Sequence, residues 1–205
     1  MHSLWQNKMP LVLASQSATR QALLNAVEIP FETVPSAIDE RLVERPLRER
    51  GVSSAEIATH LAQAKALAVA MVRPGRLVLG ADQTLSFEGR TFSKPATIVD
   101  AQVQLAAFSG RTHELHSALC VVRDGIILFE TVVTARLTCR SYSADFIARY
   151  MRSAGEAVLT SVGAYQIEGI GLHLFERIEG DSSTILGLPL LPLLEFLRHE
   201  GSLAG

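Results

Sequence analysis

Leu77-Val78-Leu79-Gly80-Ala81-Asp82-Gln83-Thr84 is an apolar run that ends abruptly in a carboxylate, an amide and a hydroxyl. It reads as a buried strand that delivers an acidic side chain at its carboxyl end. Open α/β sheets place ligand chemistry there, because the strand ends line a crevice between connecting loops. Two readings of Asp82 stay open on this stretch alone. It is either a carboxylate that works on a ligand, or a residue that caps a following helix or closes a turn.

Composition narrows what such a strand can belong to. A chain of 205 residues, 48% hydrophobic and 20% charged, suits a single α/β domain, residues 1–205, with room for two lobes around a cleft. A formal net charge of −2 gives no general attraction to nucleic acid or to an anionic membrane, so basic residues that matter must act locally. Cys120 and Cys139 are far apart and lack CxxC spacing, which points to reduced thiols in a cytoplasmic protein. The first eight residues, Met1 to Lys8, contain no apolar stretch of signal-peptide length, and no later stretch is long enough to span a bilayer. No repeat or low-complexity linker marks a domain boundary.

Upstream, Leu11-Val12-Leu13-Ala14 reads as another buried strand. Ser17 follows as the predicted N-cap of a helix carrying Leu23, Leu24 and Val27. Free backbone donors at that helix start, with Ser15, Ser17 and Arg20 beside them, suit a phosphate; an ordinary capped helix with a solvated Arg20 is the alternative. Phe31 to Pro35 alternates like a strand, and Ala37 to Arg41, with Asp39 and Glu40 adjacent, reads as a loop. Arg41 to Arg50 is dense in charge of both signs and is expected to be a solvated, mobile segment. Ser53 and Glu56 have capping-box spacing and open a helix through Ala70. Its predicted apolar stripe is Ile57, Leu61, Ala64 and Ala68, with Lys65 at the edge, free to snorkel to water or to enter a cleft.

Downstream, Glu88-Gly89 reads as a hairpin tip, and Pro95 biases Lys94 to an extended conformation in a defined direction near Asp82. Asp100 is the expected N-cap of a helix running to Phe108. Asp124-Gly125 joins two strands, Leu115 to Val122 and Ile126 to Thr138. His113 and His116 would meet on a helix, but on a strand they face opposite sides, which makes a metal role for the pair the weaker reading. Ser143 starts a further helix carrying Phe146, Ile147 and Tyr150. Gly163 to Gly171 holds three glycines among aromatic, amide and acidic side chains, and is either a place of close backbone approach to a ligand or a glycine-rich turn between strands. Leu172 to Ile178 reads as a strand, and Gly187-Leu188-Pro189-Leu190 leads into a final amphipathic helix.

Leu13-Ala14-Ser15-Gln16-Ser17-Ala18-Thr19-Arg20, Gly80-Ala81-Asp82-Gln83-Thr84, Ser93-Lys94-Pro95, Gly163-Ala164-Tyr165 with Glu168-Gly169-Ile170-Gly171, and Gly187-Leu188-Pro189-Leu190 together resemble the Maf family, historically called septum formation inhibitors. The motifs occur in family order over nearly the whole chain. The resemblance implies an α/β fold like that of inosine triphosphate pyrophosphatases, with a mixed, twisted central sheet, flanking helices and two lobes around a cleft. It also implies hydrolysis of a nucleoside triphosphate to monophosphate and pyrophosphate, assisted by Mg²⁺ or Mn²⁺, as a house-cleaning activity on the nucleotide pool. By the same resemblance Asp82 is the catalytic carboxylate and a metal ligand, and Glu40 helps hold the metal. Ser15, Arg20, Lys65 and Lys94 hold the triphosphate. The expected partner is a small-molecule nucleotide, with neither nucleic acid nor membrane, and a homodimer is allowed.

Three positions bear on the base. Members resembling the dTTP/UTP pyrophosphatases carry Arg at the position of Thr19, Thr at Gln83 and Gln at Glu168, whereas those resembling the 7-methyl-GTP enzymes carry Trp, Gln and Glu. Gln83 and Glu168 match the second type, and Thr19 matches neither. A carboxylate at Glu168 can accept from the N1–H and N2 amino group of a guanine edge and favours a base made cationic by N7 methylation. The sequence therefore leans to 7-methyl-GTP, with a dTTP/UTP pyrophosphatase as one alternative and a noncatalytic nucleotide-binding regulator of cell division as another.

Overall fold

The structure, a computed structural model, describes residues 4–205, so Met1, His2 and Ser3 of the amino-terminal stretch lie outside the described residues. The elements in chain order are β1 (Leu11–Leu13), α1 (Ala18–Ala26), β2 (Phe31–Thr33), α2 (Glu40–Glu49), α3 (Ser54–Ala70), β3 (Val78–Phe87), β4 (Arg90–Phe92) and α4 (Ile98–Phe108). They continue with β5 (Thr112–Arg123), β6 (Ile126–Cys139), α5 (Ala144–Ala154), β7 (Phe175–Glu179), α6 (Ser182–Ile185) and α7 (Leu190–His199). The seven strands form one mixed sheet in the order β2-β1-β3-β5-β6-β7, with β4 pairing β3. β1 is parallel to β2 and β3, whereas the β3–β4 and β6–β7 pairs are antiparallel. This is an α/β fold, as composition suggests, with the mixed central sheet that the family resemblance implies.

Two compact units divide the chain. The first holds residues up to Gln83, His116–Val133 and Asp181–Gly205. Its core follows the two-residue alternation of β3. Leu77, Leu79 and Ala81 pack with Leu11, Leu13, Leu24, Leu188 and Leu193, while Val78 on the opposite face packs with Val12, Ala14, Ala58, Ala62 and Ala66. α3 is alanine-rich along this second face, which lets it lie close to the strand.

Four expectations for this unit are corrected or sharpened. β3 does not stop at Asp82 but runs to Phe87 and turns at Glu88 and Gly89, both with positive φ (50° and 74°), so Asp82 stands in mid-strand. The segment from Arg41 to Arg50 is not a mobile loop but α2. Asp39 caps it by accepting from the Arg41 N–H at 3.0 Å, and Val43 and Leu47 pack against Ile57 and Leu61. Its charges are spent in part on ion pairs one turn apart, Arg45 with Glu49 and Arg48 with Glu44. The capping box of Ser53 and Glu56 starts α3 as read, but the buried stripe is Ile57, Ala58, Leu61, Ala62, Lys65, Ala66 and Val69. Lys65 is therefore on the buried face, not at its edge.

The second unit holds Thr84–Leu115 and Thr134–Gly180. Thr97, not Asp100, caps α4; Asp100 is the reciprocal member of that capping box, three residues on. Residues Ile170–Leu174 form a 3₁₀ turn, so the strand read from Leu172 begins only at Phe175. The glycines of the loop are filled from within. A Cβ at Gly163 would meet the Tyr165 ring at 2.2 Å, and one at Gly171 the Gln166 carbonyl oxygen at 2.4 Å. The close approach they permit is that of the loop to itself.

His113 belongs to the aromatic core of this unit. It stacks on Phe108 with ring centroids 4.7 Å apart, and its Nε2 lies 2.7 Å from the Tyr165 hydroxyl. Burial pushes its pKa from 6.5 down to about 4. Because the folded value is the lower one, the unfolded chain takes up a proton that the folded chain refuses between these values. The stability His113 contributes is complete above 6.5 and is lost as pH falls through that window, by about 3 kcal/mol at the low end. Replacing both polar partners, in His113→Phe with Tyr165→Phe, should flatten the melting temperature between pH 7 and pH ~4.5 relative to the unaltered chain. Parallel melting curves over that range would refute the assignment. Among the described residues no group of three His, Cys, Asp or Glu side chains gathers as a metal site. Cys120 and Cys139 are both free and buried.

Candidate functional site

Five of the predicted site residues come together in the first unit, and the local structure of each explains why. Glu40 occupies the first turn of α2, Lys65 the buried face of α3 and Asp82 the face of β3 that α3 covers. The Lys65 ammonium stands between the two carboxylates, 2.6 Å from Asp82 Oδ1 and 2.8 Å from Glu40 Oε1. Lys65 is 6% and Asp82 7% exposed, so this is a buried pair that keeps one opening to solvent through the more exposed Glu40. A lysine in such a place is expensive unless it is paired, and here it is paired twice.

Arg20 completes the cluster from α1. Its Nε donates to the Gly187 carbonyl at 2.9 Å and its Nη1 to the Ser15 hydroxyl at 3.2 Å. Ser15 also accepts from the Ser17 N–H at 3.2 Å. The loop between β1 and α1 is thereby tied to the turn that precedes α7. Burial lowers the pKa of Arg20 from its usual value, and the negative charges of Asp82 and then Glu40 oppose that shift. Burial likewise raises the pKa of Asp82 above the ordinary aspartate value, against the pull of Lys65 and Arg20. A carboxylate bonded to Lys65 and within the field of Arg20, with its basicity raised by desolvation, is suited to take a proton from a bound water.

Glu40 and Asp82 also test the fit of a divalent cation. Both carboxylates reach the Lys65 nitrogen, so the point they share is filled by the ammonium, and a divalent cation would take their remaining oxygens beside it. Mg²⁺ is commonly held by one or two carboxylates, with phosphate and water oxygens completing its shell. The donor set fits such an ion.

The three positions read as specificity residues are placed differently. Thr19 is half-buried on α1 and Gln83 is half-buried on β3, next in sequence to Asp82 but on the opposite face of the strand. Glu168 is exposed, in a turn closed by the Gly169 N–H to the Gln166 carbonyl at 3.2 Å. Lys94 is exposed in the segment between β4 and α4. Lys94 and Glu168 both belong to the second unit. Sequence reasoning passed over Ser117 and Thr184, which hold the Gln83 amide. Ser117 is a small hydroxyl residue at the edge of an apolar run and its only sequence signal is being polar where burial is expected, whereas Thr184 follows Asp181-Ser182-Ser183 and carries no such signal.

The chain is similar to known proteins over nearly its whole length. Residues 10–200 match the family model described as Maf-like protein. The chain is 55% identical over 199 residues to a nucleoside triphosphate pyrophosphatase of Nitrobacter winogradskyi, covering 97% of each chain. It is 51% identical over 195 residues to a 7-methyl-GTP pyrophosphatase of Rhizobium etli, covering 95% of this chain and 98% of that one. Among solved structures, a HAM1 protein from Coxiella burnetii aligns with a TM-score of 0.41 and 18% identity over 64% of this chain and 73% of that one, too distant to bear on the site.

Proposed function

The chain belongs to the Maf-like family, and on that footing we propose that it is a hydrolase cleaving the α–β anhydride of a nucleoside triphosphate to give nucleoside monophosphate and pyrophosphate. The observation that carries this reading is the placement of buried Asp82 against Lys65 and within the field of Arg20. A noncatalytic binder gains nothing from a desolvated carboxylate beside the cations that meet phosphate. In a hydrolase the same carboxylate accepts the proton of the attacking water while the bond to pyrophosphate breaks. Ser15 and Arg20 hold phosphate oxygens, and Lys65 balances the charge that develops on them. Lys94 serves the same triphosphate in this proposal.

Charge counting supports a divalent metal. Lys65 and Arg20 together cancel Glu40 and Asp82, so the cluster as it stands offers a triphosphate no net attraction. Mg²⁺ or Mn²⁺ held by Glu40 and Asp82 would supply the missing positive charge and polarise water.

The leaning toward 7-methyl-GTP rests on Gln83 and Glu168, and it is consistent with the name of the Rhizobium etli relative. A panel of 7-methyl-GTP, dTTP, UTP and CTP, with Mg²⁺ or Mn²⁺ and identification of products, tests both levels of the proposal. Pyrophosphate and monophosphate are expected. Orthophosphate alone would mean a terminal phosphatase, and no release from any nucleotide would leave the cell-division regulator. Glu168→Gln is expected to lower the preference for 7-methyl-GTP over dTTP by about 10-fold, the effect of one charge-assisted hydrogen bond. An unchanged ranking would refute the role of Glu168.

A further inference from the structure

Gln83 is held in one orientation by acceptors alone. Its Nε2 donates to the Ser117 hydroxyl at 2.9 Å, to the Ile185 carbonyl at 2.9 Å and to the Thr184 carbonyl at 3.2 Å. Two of these partners are backbone carbonyls of α6 and cannot donate. Ser117 cannot donate to it either, because its own hydroxyl proton is spent on the Thr184 carbonyl at 2.6 Å. An amide nitrogen carries two protons and three acceptors surround it, so the opposite orientation, which would set the amide oxygen against two carbonyl oxygens, is excluded. Ser117 is fully buried on β5, and α6 is itself pinned by Asp181, which accepts from the Thr184 N–H at 2.9 Å.

The consequence lies at the other end of the amide. Among the described residues no protein donor meets Gln83 Oε1. A Cβ built on Gly187, where φ is +93°, would lie 3.7 Å from Oε1 and 3.6 Å from Arg20 Nη2. The position beside Gly187 thus has an acceptor and a guanidinium donor within van der Waals contact of one point. A phosphate oxygen placed there would meet the lone pairs of Oε1. A hydroxyl would instead find a partner in each group, and an N–H group would donate to Oε1.

We propose that Ser117 is a positioning residue: with the α6 carbonyls it locks Gln83 with its amide oxygen outward, so that position 83 accepts from a hydroxyl or N–H of the nucleotide and offers no hydrogen bond to its phosphates. The proposal rests on the hydrolase reading for its ligand, but not for its geometry. Ser117 touches no reacting atom; it acts only through Gln83.

Two measurements test it. In the first, kcat/KM is compared for ribonucleotides, their 2′-deoxy and 3′-deoxy forms and different bases, in the unaltered chain, Ser117→Ala, Gln83→Ala and the double variant. The unaltered chain should disfavour one class of donor-lacking analogue by about 10-fold. That class identifies the donor as a sugar hydroxyl or a base N–H. Gln83→Ala should level the difference and Ser117→Ala should reduce it at least ~3-fold, the effect of one hydrogen bond. In the Gln83→Ala background, Ser117→Ala should change nothing further. A ratio within twofold of the original in Ser117→Ala, or an equal change in both backgrounds, overturns the positioning role. In the second measurement, hydrogen exchange of the Gln83 side-chain amide is followed by ¹⁵N NMR without nucleotide. Slow exchange that accelerates about 10-fold in Ser117→Ala is expected, and equal rates overturn the lock. If no nucleotide is hydrolysed at all, the hydrolase reading fails while this second measurement still decides the geometry.

Discussion

Asp82→Asn is expected to lower kcat by a factor of about 10² to 10⁴, the usual contribution of a positioned general base, with little change in KM. The substitution keeps the shape of the side chain and removes its charge, and with it the ability to take a proton and to act as a carboxylate ligand. Lys65 remains paired with Glu40 at 2.8 Å, so the ammonium is not left alone in a buried place. The fold should therefore survive, and an unchanged melting temperature would separate lost chemistry from lost structure. A decrease of less than tenfold in kcat would return Asp82 to the structural role its sequence context also allowed.

The pH profile supplies an independent check. Asp82 works as a base only when ionised, and burial raises its pKa above the usual aspartate value of 3.8. Activity should thus fall, as pH is lowered, at a point above that value. Lys65 opposes the shift, so Lys65→Met should move the acid limb of kcat/KM still higher, whereas loss of a mere phosphate contact would change its height and not its position.

The cluster was legible from sequence by residue type and not by position. The sequence places Lys65 at the edge of its helix because α3 has alanines on two adjacent faces. Ala58, Ala62 and Ala66 are buried, while Ala64 and Ala68 are half-buried, and a pattern of equal small residues cannot show which face the sheet covers. Asp82 looked like a strand terminus because polar residues in a run usually mean that burial has ended. Here burial continues through Thr84 and Leu85, and Lys65 satisfies the carboxylate inside the unit. α2 was hidden by its charge density. Its apolar pair, Val43 and Leu47, is one turn apart and narrow, but the Asp39 cap before it was a readable start signal. The strands and hairpins were found readily, because their apolar alternation and Asp-Gly or Glu-Gly turns are local features.

Gly80→Ala should be the most damaging single-methyl change in the chain. Gly80 precedes Asp82 by two residues, so it lies on the same face of β3 and under the same helix. A Cβ there would stand 2.1 Å from the Ala62 carbonyl oxygen, 2.7 Å from the Ala66 nitrogen and 2.9 Å from the Ala66 Cβ. Two of these atoms are backbone in mid-helix and cannot rotate away, so α3 as a whole must move by roughly 1 Å to reach ordinary contact. Overpacking of this kind costs about 3 kcal/mol, which in a chain of this size lowers the melting temperature by roughly 6–12 °C.

The cost should extend to activity. Lys65 lies on α3 between Ala62 and Ala66, the two residues that the new methyl would push, so the helix that must retreat is the one that brings the ammonium to 2.6 Å from Asp82. Lengthening that contact weakens the restraint on Asp82 ionisation and should raise the acid limb of kcat/KM in the same direction as Lys65→Met. Leu197→Ala provides the comparison, since Leu197 is fully buried on α7 in the opposite core and its truncation costs about 2–5 kcal/mol. That variant should melt earlier without moving the acid limb. If both variants shift the pH profile equally, general loosening explains the effect. If only Gly80→Ala shifts it, the missing side chain at position 80 is what allows Asp82 and Lys65 to meet.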